Sequence, residues 1–229
     1  KNNSPTITKK RFVDRINKTK IFGVYSLNDQ PLDRDQESEV NRKIQKLIKN
    51  HDLVIVSDYG HGLISDKTAK LIVKKSKFVA VNTQLNSSNL GFHVISKYIG
   101  ANFITINETE MRHELRNKTA HTIPLIKTLS KKLKSKYTHV TSGESGSVIY
   151  NSTLKEIIGC PAFANKVIDK VGTGDTMLAI LAISLFKKFD IKFSIFLSAL
   201  AAAQNIQYMA NKIPINKVNI TRALQSYLK

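Results

Sequence analysis

The stretch Gly172-Thr173-Gly174-Asp175 places two glycines beside an acid, directly before an apolar segment that extends to Phe186. The β-branched residues before Gly172 predict a strand, so the pattern indicates a strand, a tight turn and a buried helix. Glycines let backbone N–H groups approach a ligand, and a helix start adds unpaired donors and the positive end of its dipole. The turn can therefore hold an anion, and Asp175 would lie beside it.

Asp175 allows two interpretations. Phosphate repels a carboxylate, so an acid at this position needs a task, and accepting a proton from an attacking hydroxyl is such a task. Asp is also a favoured N-cap residue, so a purely structural role fits the same residues. Short Gly-x-Gly patterns do not decide between the two.

The composition indicates one globular core without a membrane-spanning segment. The chain has 229 residues, 41% of them hydrophobic. The longest apolar stretch, Met177 to Leu185, is about half as long as a spanning helix. The single cysteine, Cys160, excludes an internal disulfide and is typical of the cytoplasm, which is the predicted location. Because the sequence lacks an initiating Met, we expect it to be part of a longer or processed polypeptide.

The charge is strongly basic, with 36 Lys and Arg against 17 Asp and Glu and a net charge of +19. Such an excess is compatible with nucleic acid, with anionic small substrates or with a genome rich in Lys, Asn and Ile. The lysines are scattered, and no aromatic residues are interleaved in their densest group, Lys127 to Lys136. A nucleic-acid partner is therefore the least favoured alternative.

Hydrophobic periodicity predicts strands and helices in alternation over most of the chain. Two short strands, 11–14 and 20–25, flank a turn at Asn17-Lys18, and a loop over 29–35 precedes a helix over 37–49. The predicted elements that follow are strands 53–57, 78–82, 103–107 and 139–141, helices 65–75, 89–97, from 108 and 122–135, a hairpin of 148–150 with 154–158, and helices 175–186, 193–208 and from 219 or 221. This alternation indicates a parallel sheet covered on both faces, with ligands at the carboxyl ends of its strands.

Four polar segments follow predicted strands. They centre on Asp58 in 56–62, on Asn82 in 82–89, on Asn107 and Glu110, and on Thr141, Gly143 and Gly146. Each has a local explanation as an Asx turn, a solvated loop, a capping box or a simple glycine turn. Their common position at strand ends favours a shared site.

These residues resemble the motifs of the PfkB or ribokinase-like family of carbohydrate kinases. Residues 169–175 resemble the signature Asp-Thr-x-Gly-Ala-Gly-Asp, with Lys170 and Thr173 in place of the usual Thr and Ala. Residues 56–62 resemble the Ser-Asp-Tyr-Gly-Lys-Gly stretch of heptose-phosphate kinases in this family, with His61 where Lys is usual. The run from Asn82, with Gly91-Phe92, is similar to a stretch in PfkB-like kinases of surface-sugar pathways, some of them fused to a nucleotidyltransferase.

The resemblance implies a ribokinase-like three-layer α/β sandwich with a mostly parallel central sheet, whose N-terminal part is missing. Residues 1–36 would then be partial lid and substrate-side strands with a loop, and 37–229 the nucleotide-binding core. The family's Gly-Gly-x-x-x-Asn sugar-binding stretch is absent from this sequence. A nucleotide-binding remnant without catalysis is therefore the alternative to an active kinase.

The resemblance further implies ATP-dependent phosphorylation of a hydroxyl on a sugar or sugar phosphate, with a heptose phosphate as first choice. Its cofactors would be ATP and Mg²⁺, together with K⁺ if Lys170 leaves room for the monovalent cation that family members often bind. A homodimer, or a fusion to a nucleotidyltransferase, is the assembly it allows, with no nucleic-acid or membrane partner. The implied roles are Asp175 as general base; Gly172, Thr173 and Gly174 as anion hole; Asn107 and Glu110 as magnesium organisers through water; Thr141, Gly143 and Gly146 as nucleotide contacts; and Asp58 and Asn82 as substrate contacts.

Overall fold

The computed structural model describes residues 1, 4–16, 19–86, 89–91, 95–164, 167–209 and 212–227. Strands and helices alternate over most of this range, as predicted. The strands are β1 Thr8–Val13, β2 Lys20–Ser26, β3 Leu53–Asp58, β4 Phe78–Thr83, β5 Phe103–Asn107, β6 Tyr137–Thr141, β7 Ser147–Asn151 and β8 Glu156–Cys160. The helices are α1 Arg34–Ile48, α2 Asp66–Lys75, α3 Glu108–Leu115, α4 Thr122–Leu133, α5 Thr173–Phe186, α6 Ile191–Asn205 and α7 Lys217–Tyr227.

Six strands, β3 to β8, form the central sheet and lie in it in chain order. The pairs from β3 to β6 are parallel, whereas β7 and β8 add an antiparallel hairpin. The register aligns the strand ends, since Asn82 pairs with Thr105 and Asn107 pairs with Thr141. The polar segments that follow these strands therefore meet at one edge, and the predicted mostly parallel sheet is confirmed.

Helices cover both faces of this sheet. Successive residues of β4 alternate between two separate cores: Val79 and Val81 contribute to one, and Ala80 to the other. The first core includes residues of α1 to α4, such as Leu129, and the second includes residues of α5 and α6, such as Leu181. This alternation of side chains across a strand produces the predicted three-layer sandwich.

The two C-terminal apolar helices pack on each other in the second core. Ala199 and Ala202 of α6 lie in the same cluster as Leu178 and Leu181 of α5. Small side chains allow close approach, as predicted for the alanine run. Close packing against α6 helps to fix α5, whose first turn begins at the strand-end edge.

Strands β1 and β2 form a separate two-stranded antiparallel ribbon. Phe12 and Phe22 lie opposite each other, and their rings stack with centroids 4.4 Å apart. The predicted strands are confirmed, while the predicted turn at Asn17-Lys18 lies outside the described residues.

Three predictions of local structure are wrong. The described residues directly before Gly172, 167–171, are irregular and do not form the predicted strand. Within the described part of 89–97 there is a turn at 89–91 and a short 3₁₀ helix, Ile95–Tyr98, in place of an α-helix. Helix α1 begins before residue 37, because the carboxylate of Asp33 accepts a hydrogen bond from the Gln36 amide and caps it. None of the described helices has the length and apolar character needed to span a membrane.

Candidate active site

A cleft of about 1340 Å³ opens at the carboxyl edge of the parallel strands. It is lined by strand ends, by the first turns of α3 and α5, and by the ribbon. Nearly all the predicted site residues border it: Asn82, Asn107, Glu110, Thr141, Gly143, Gly146, Gly172, Thr173, Gly174 and Asp175. The fold thus brings together residues that are up to 93 positions apart in the sequence, from Asn82 to Asp175.

Asp175 is the third residue of α5 and not its cap. The N-cap position belongs to Gly172, whose φ of 82° lies in the left-handed region that favours glycine. The Asp175 carboxylate accepts hydrogen bonds from the Ser57 hydroxyl at 3.1 Å and from the Tyr59 hydroxyl at 3.1 Å. The structural alternative for Asp175, a helix N-cap, is therefore wrong, and its side chain is oriented by hydroxyls at the carboxyl end of β3 and just after it.

Tyr59 is suited to this orienting role. Burial raises the pKa of its hydroxyl, and the nearby Asp175 charge raises it further, while a hydrogen bond with Ser57 opposes the shift. The hydroxyl therefore keeps its proton at neutral pH and donates a hydrogen bond to the carboxylate.

The first turn of α5 offers donors to an anion. The amides of Gly174 and Asp175 lie in this turn and have no intrahelical acceptor. The helix dipole adds positive potential at the same place. The Thr173 hydroxyl oxygen is buried and lacks a hydrogen-bond partner. A Cβ placed on Gly174 would meet no atom within 4 Å, so the backbone there is open to a ligand. An unpartnered hydroxyl beside open backbone fits a phosphate group.

Asn107 and Glu110 form a complete capping box at the start of α3. The Asn107 side chain accepts from the Glu110 amide at 2.8 Å, and Glu110 accepts from the Asn107 amide at 3.1 Å. The other carboxylate oxygen of Glu110 accepts from the Leu85 amide at 3.0 Å. Burial raises the pKa of Glu110, although these amides oppose the shift. The capping interpretation is thus confirmed, and a second role towards magnesium stays a prediction.

No group of three or more His, Cys, Asp or Glu residues in the described ranges could hold a metal ion. A magnesium ion bound through water and substrate phosphates would need no such group, and it stays a prediction for this chain. Glutamate Glu110, with each oxygen bonded to only one amide, keeps lone pairs for such a water.

The two glycines of the loop after β6 have different surroundings. A Cβ on Gly146 would lie 2.1 Å from the Cys160 carbonyl oxygen, whereas a Cβ on Gly143 would meet nothing within 4 Å. Gly146 is therefore required by the packing of β8, and Gly143 faces open space at the cleft. The Ser142 hydroxyl donates to Glu108 at 2.7 Å and links this loop to α3.

Asp58 lies outside the cleft, in contrast to the prediction. It is buried, forms an ion pair with Lys97 at 2.6 Å and accepts from the Tyr98 hydroxyl at 2.6 Å and the Gly60 amide at 2.9 Å. Burial opposes ionisation, but the bonds from Lys97 and Tyr98 outweigh it and lower the pKa of Asp58. Its contacts support the alternative interpretation, a carboxylate that stabilises its own turn. Asn82 does line the cleft, where it donates to the Thr105 carbonyl at 3.0 Å. Ser87, Ser88 and Phe92 of the same predicted segment lie outside the described residues.

The sequence pattern of pfkB family carbohydrate kinases matches residues 2–217. The chain belongs to the pfkB family. Among curated relatives it is 35% identical over 170 residues to the bifunctional protein HldE of Campylobacter curvus. The matched region covers 73% of this chain and 35% of the relative. The chain is 26% identical over 202 residues to the bifunctional protein HldE of Wolinella succinogenes, covering 86% and 41%. The chain therefore spans about two fifths or less of these relatives.

Several solved structures have the same fold as this chain. Phosphofructokinase-2 from Escherichia coli in complex with potassium matches with a TM-score of 0.72 at 11% identity, covering 91% of this chain and 67% of that one. Arabidopsis thaliana ribokinase complexed with ribose and ATP matches with a TM-score of 0.71 at 18% identity, covering 98% and 70%. The ribokinase-like fold predicted from the motifs is confirmed.

The sequence analysis missed two groups of this pfkB-family site. Ser57 and Tyr59, which hold Asp175, lie on either side of Asp58, which was predicted as a substrate contact. The alternation of side chains along β3 could have indicated Ser57 from the sequence. Val56 and Asp58 share the face covered by α1 to α4, whereas Ser57 lies on the opposite face and bonds to Asp175 of α5. The ribbon residues Lys9 and Arg11, which also line the cleft, carried no motif.

Proposed function

We propose that this chain carries the nucleotide site and catalytic base of a kinase that transfers a phosphoryl group from ATP to a hydroxyl of a sugar or sugar phosphate. The observation that carries the proposal is the Asp175 carboxylate, held by Ser57 and Tyr59 beside the open first turn of α5. A proton acceptor next to an anion site is the arrangement that phosphoryl transfer to a hydroxyl needs.

In this mechanism Asp175 accepts the proton of the acceptor hydroxyl. Ser57 and Tyr59 fix the direction of its carboxylate, which keeps it in reach of the hydroxyl. The amides after Gly172, with the Thr173 hydroxyl and Gly174, stabilise negative charge on the transferred group. When bound, magnesium–ATP supplies the phosphoryl group and neutralises phosphate charge, and Asn107 and Glu110 would order its water shell.

The part of the cleft that is lined by α6 suits the nucleoside part of ATP. Ala199, Ala202, Ala203 and Ile206 give it an apolar wall, and open backbone at Gly143 lies near Thr141. A planar base can pack on such a wall, while Thr141 offers a hydroxyl to the ribose or phosphates. We therefore infer that residues 37–229 form the nucleotide-binding core and that 1–36 contribute the ribbon as a partial lid. A K⁺ ion near 169–172 belongs to the proposal only if the Lys170 side chain leaves room for it.

A heptose phosphate is the first acceptor to test. The support is the resemblance of residues 56–62 to heptose-phosphate kinases and the similarity to relatives named bifunctional protein HldE. The fusion to a nucleotidyltransferase belongs to the same proposal, since the chain spans only part of those relatives. A homodimer is the alternative assembly.

ADP release, coupled to a colour-forming reaction, tests this proposal on the full-length protein over a panel of sugars and sugar phosphates. We expect acceptor-dependent ADP release, and calorimetry should detect magnesium–ATP binding in the roughly micromolar to millimolar range common for enzyme substrates. Binding of ATP without acceptor-dependent turnover would contradict the kinase proposal and support the alternative, a nucleotide-binding remnant without catalysis. A folded protein that gives no heat with ATP or ADP would contradict both.

A further inference from the structure

Two cations of the ribbon, Lys9 and Arg11, line the cleft next to the catalytic residues. They point to the same side of β1 because side chains alternate along a strand, and Lys10 between them points to the other side. Tyr25 lies opposite Lys9 in the ribbon, with the Lys9 ammonium 5.8 Å from its ring centroid. The ribbon therefore presents a cationic face to the cleft.

No described carboxylate forms an ion pair with Lys9 or Arg11. The acids that border the cleft have other partners. Glu108 pairs with Arg112 and Glu110 completes the capping box. Glu144 lies 3.9 Å from Lys170, and Asp175 accepts from Ser57 and Tyr59. A positive charge without a carboxylate partner at a cleft wall favours an anionic ligand. The cationic face is thus available to a group that the chain itself does not supply.

Tyr59 connects this face to Asp175. The Lys9 ammonium lies 5.3 Å from the centroid of the Tyr59 ring, and the hydroxyl of the same ring is 3.1 Å from the Asp175 carboxylate. Arg11 is close enough for its charge to act on the Tyr59 hydroxyl, whose pKa it lowers slightly against the larger effect of burial. A cationic group and the proposed base therefore contact the same aromatic side chain, the first over its ring and the second at its hydroxyl.

Lys9 also contacts the residue at which the sequence departs from heptose-phosphate kinases. Its ammonium is 3.0 Å from Nε2 of His61, which stands where Lys is usual. An ammonium has no acceptor, so Lys9 donates and His61 accepts. Burial, and secondly the charge of Lys9, lower the pKa of His61, so the ring stays neutral at pH 7. Lys9 of β1 thereby brings a cation next to residue 61, and its ammonium keeps two further donors.

We propose that Lys9 and Arg11 bind a phosphate group on the acceptor and so make the enzyme select sugar phosphates over free sugars. The proposal rests on the kinase function proposed above. A guanidinium and an ammonium together suit a phosphate, because charge-assisted hydrogen bonds from both are short and strong. The reacting hydroxyl would lie at Asp175, and the phosphate would lie beyond the Tyr59 ring.

Steady-state kinetics of Lys9→Ala, Arg11→Ala and the double variant test this assignment in the full-length protein. The substrates are a heptose phosphate and the corresponding free heptose, each at saturating ATP, and ATP is varied separately. We expect the double variant to raise KM for the heptose phosphate about 10- to 100-fold. Its kcat/KM for free heptose and its KM for ATP should stay at parental values, and Lys10→Ala should behave as the parent.

A rescue variant separates a charge effect from loss of packing. Adding His61→Lys to Lys9→Ala returns a cation to the same region, so we expect the KM for the heptose phosphate to fall most of the way back to the parental value. An unchanged preference in the double variant would overturn the assignment. A raised KM for ATP with an unchanged KM for the heptose phosphate would overturn it too, since the cations would then contact the nucleotide.

Failure of the kinase proposal is recognised separately. If the parent protein shows no acceptor-dependent turnover, calorimetry with the same heptose phosphate decides the role of the cations. Binding that the parent shows and the double variant loses supports the phosphate site without catalysis. Equal binding by both proteins, or binding by neither, overturns it.

Discussion

Replacing Asp175 by Asn removes the proposed proton acceptor with little other change. Asn has nearly the same size as Asp, and the N-cap of α5 is Gly172, so the helix start is unaffected. The amide oxygen can still accept from one of the two hydroxyls, Ser57 or Tyr59, and the amide nitrogen can donate to the other. The substitution therefore isolates the charge and basicity of the carboxylate.

The structure sets the expected magnitudes. Two hydrogen bonds to a carboxylate become bonds to a neutral amide, which should lower the free energy of unfolding by about 1–2 kcal/mol. Loss of a general base should lower kcat by about two to four powers of ten. Affinity for ATP should stay the same or increase, because a negative charge leaves the phosphate site.

Three measurements on the purified variant check this prediction: acceptor-dependent ADP release, ATP binding by calorimetry and urea unfolding. The matched control is Asp190→Asn, because Asp190 caps α6 by accepting from the Phe193 amide at 2.9 Å, and Asn is an equally good cap. The control should keep parental turnover. If Asp175→Asn also turns over acceptor at near the parental rate, the base assignment and the mechanism built on it are wrong.

Two further predictions concern stability. Gly146→Ala should lower the free energy of unfolding by roughly 3–5 kcal/mol, because its Cβ would collide with the Cys160 carbonyl at a position of positive φ. Gly143→Ala should lower it by only about 1–2 kcal/mol, which is the cost of backbone strain alone. Equal costs of the two substitutions in urea unfolding would contradict this difference. Asp58→Asn should cost about 3 kcal/mol at pH 7 by breaking the buried pair with Lys97. Because the folded-state pKa of Asp58 is lowered, the parent has this stability above about pH 4 and loses it as the pH falls through the folded-state pKa, so the two proteins should converge in acid; a gap that persists there would refute the assignment.

The amino-acid sequence by itself determined the order of the elements and placed most of the motif residues at the cleft. Alternating strand and helix patterns predicted the parallel sheet, because hydrophobic periodicity is set locally by which face of each element is buried. The same reasoning placed Asn107, Thr141 and Asp175 at one edge, since parallel strands end together. Residues 167–171 show its limit: a β-branched run predicted a strand, yet the six described strands of the sheet do not include it.

Only the tertiary structure decided which polar residues face the cleft. Ser57 and Asp58 are neighbours in the chain, but the helices that cover the two sheet faces direct the first to Asp175, 118 positions away, and the second to Lys97. Lys9 meets His61 across 52 positions, without any motif around it. Such contacts depend on which layer covers each face of a strand, and that is fixed by packing between distant segments, which local periodicity does not encode.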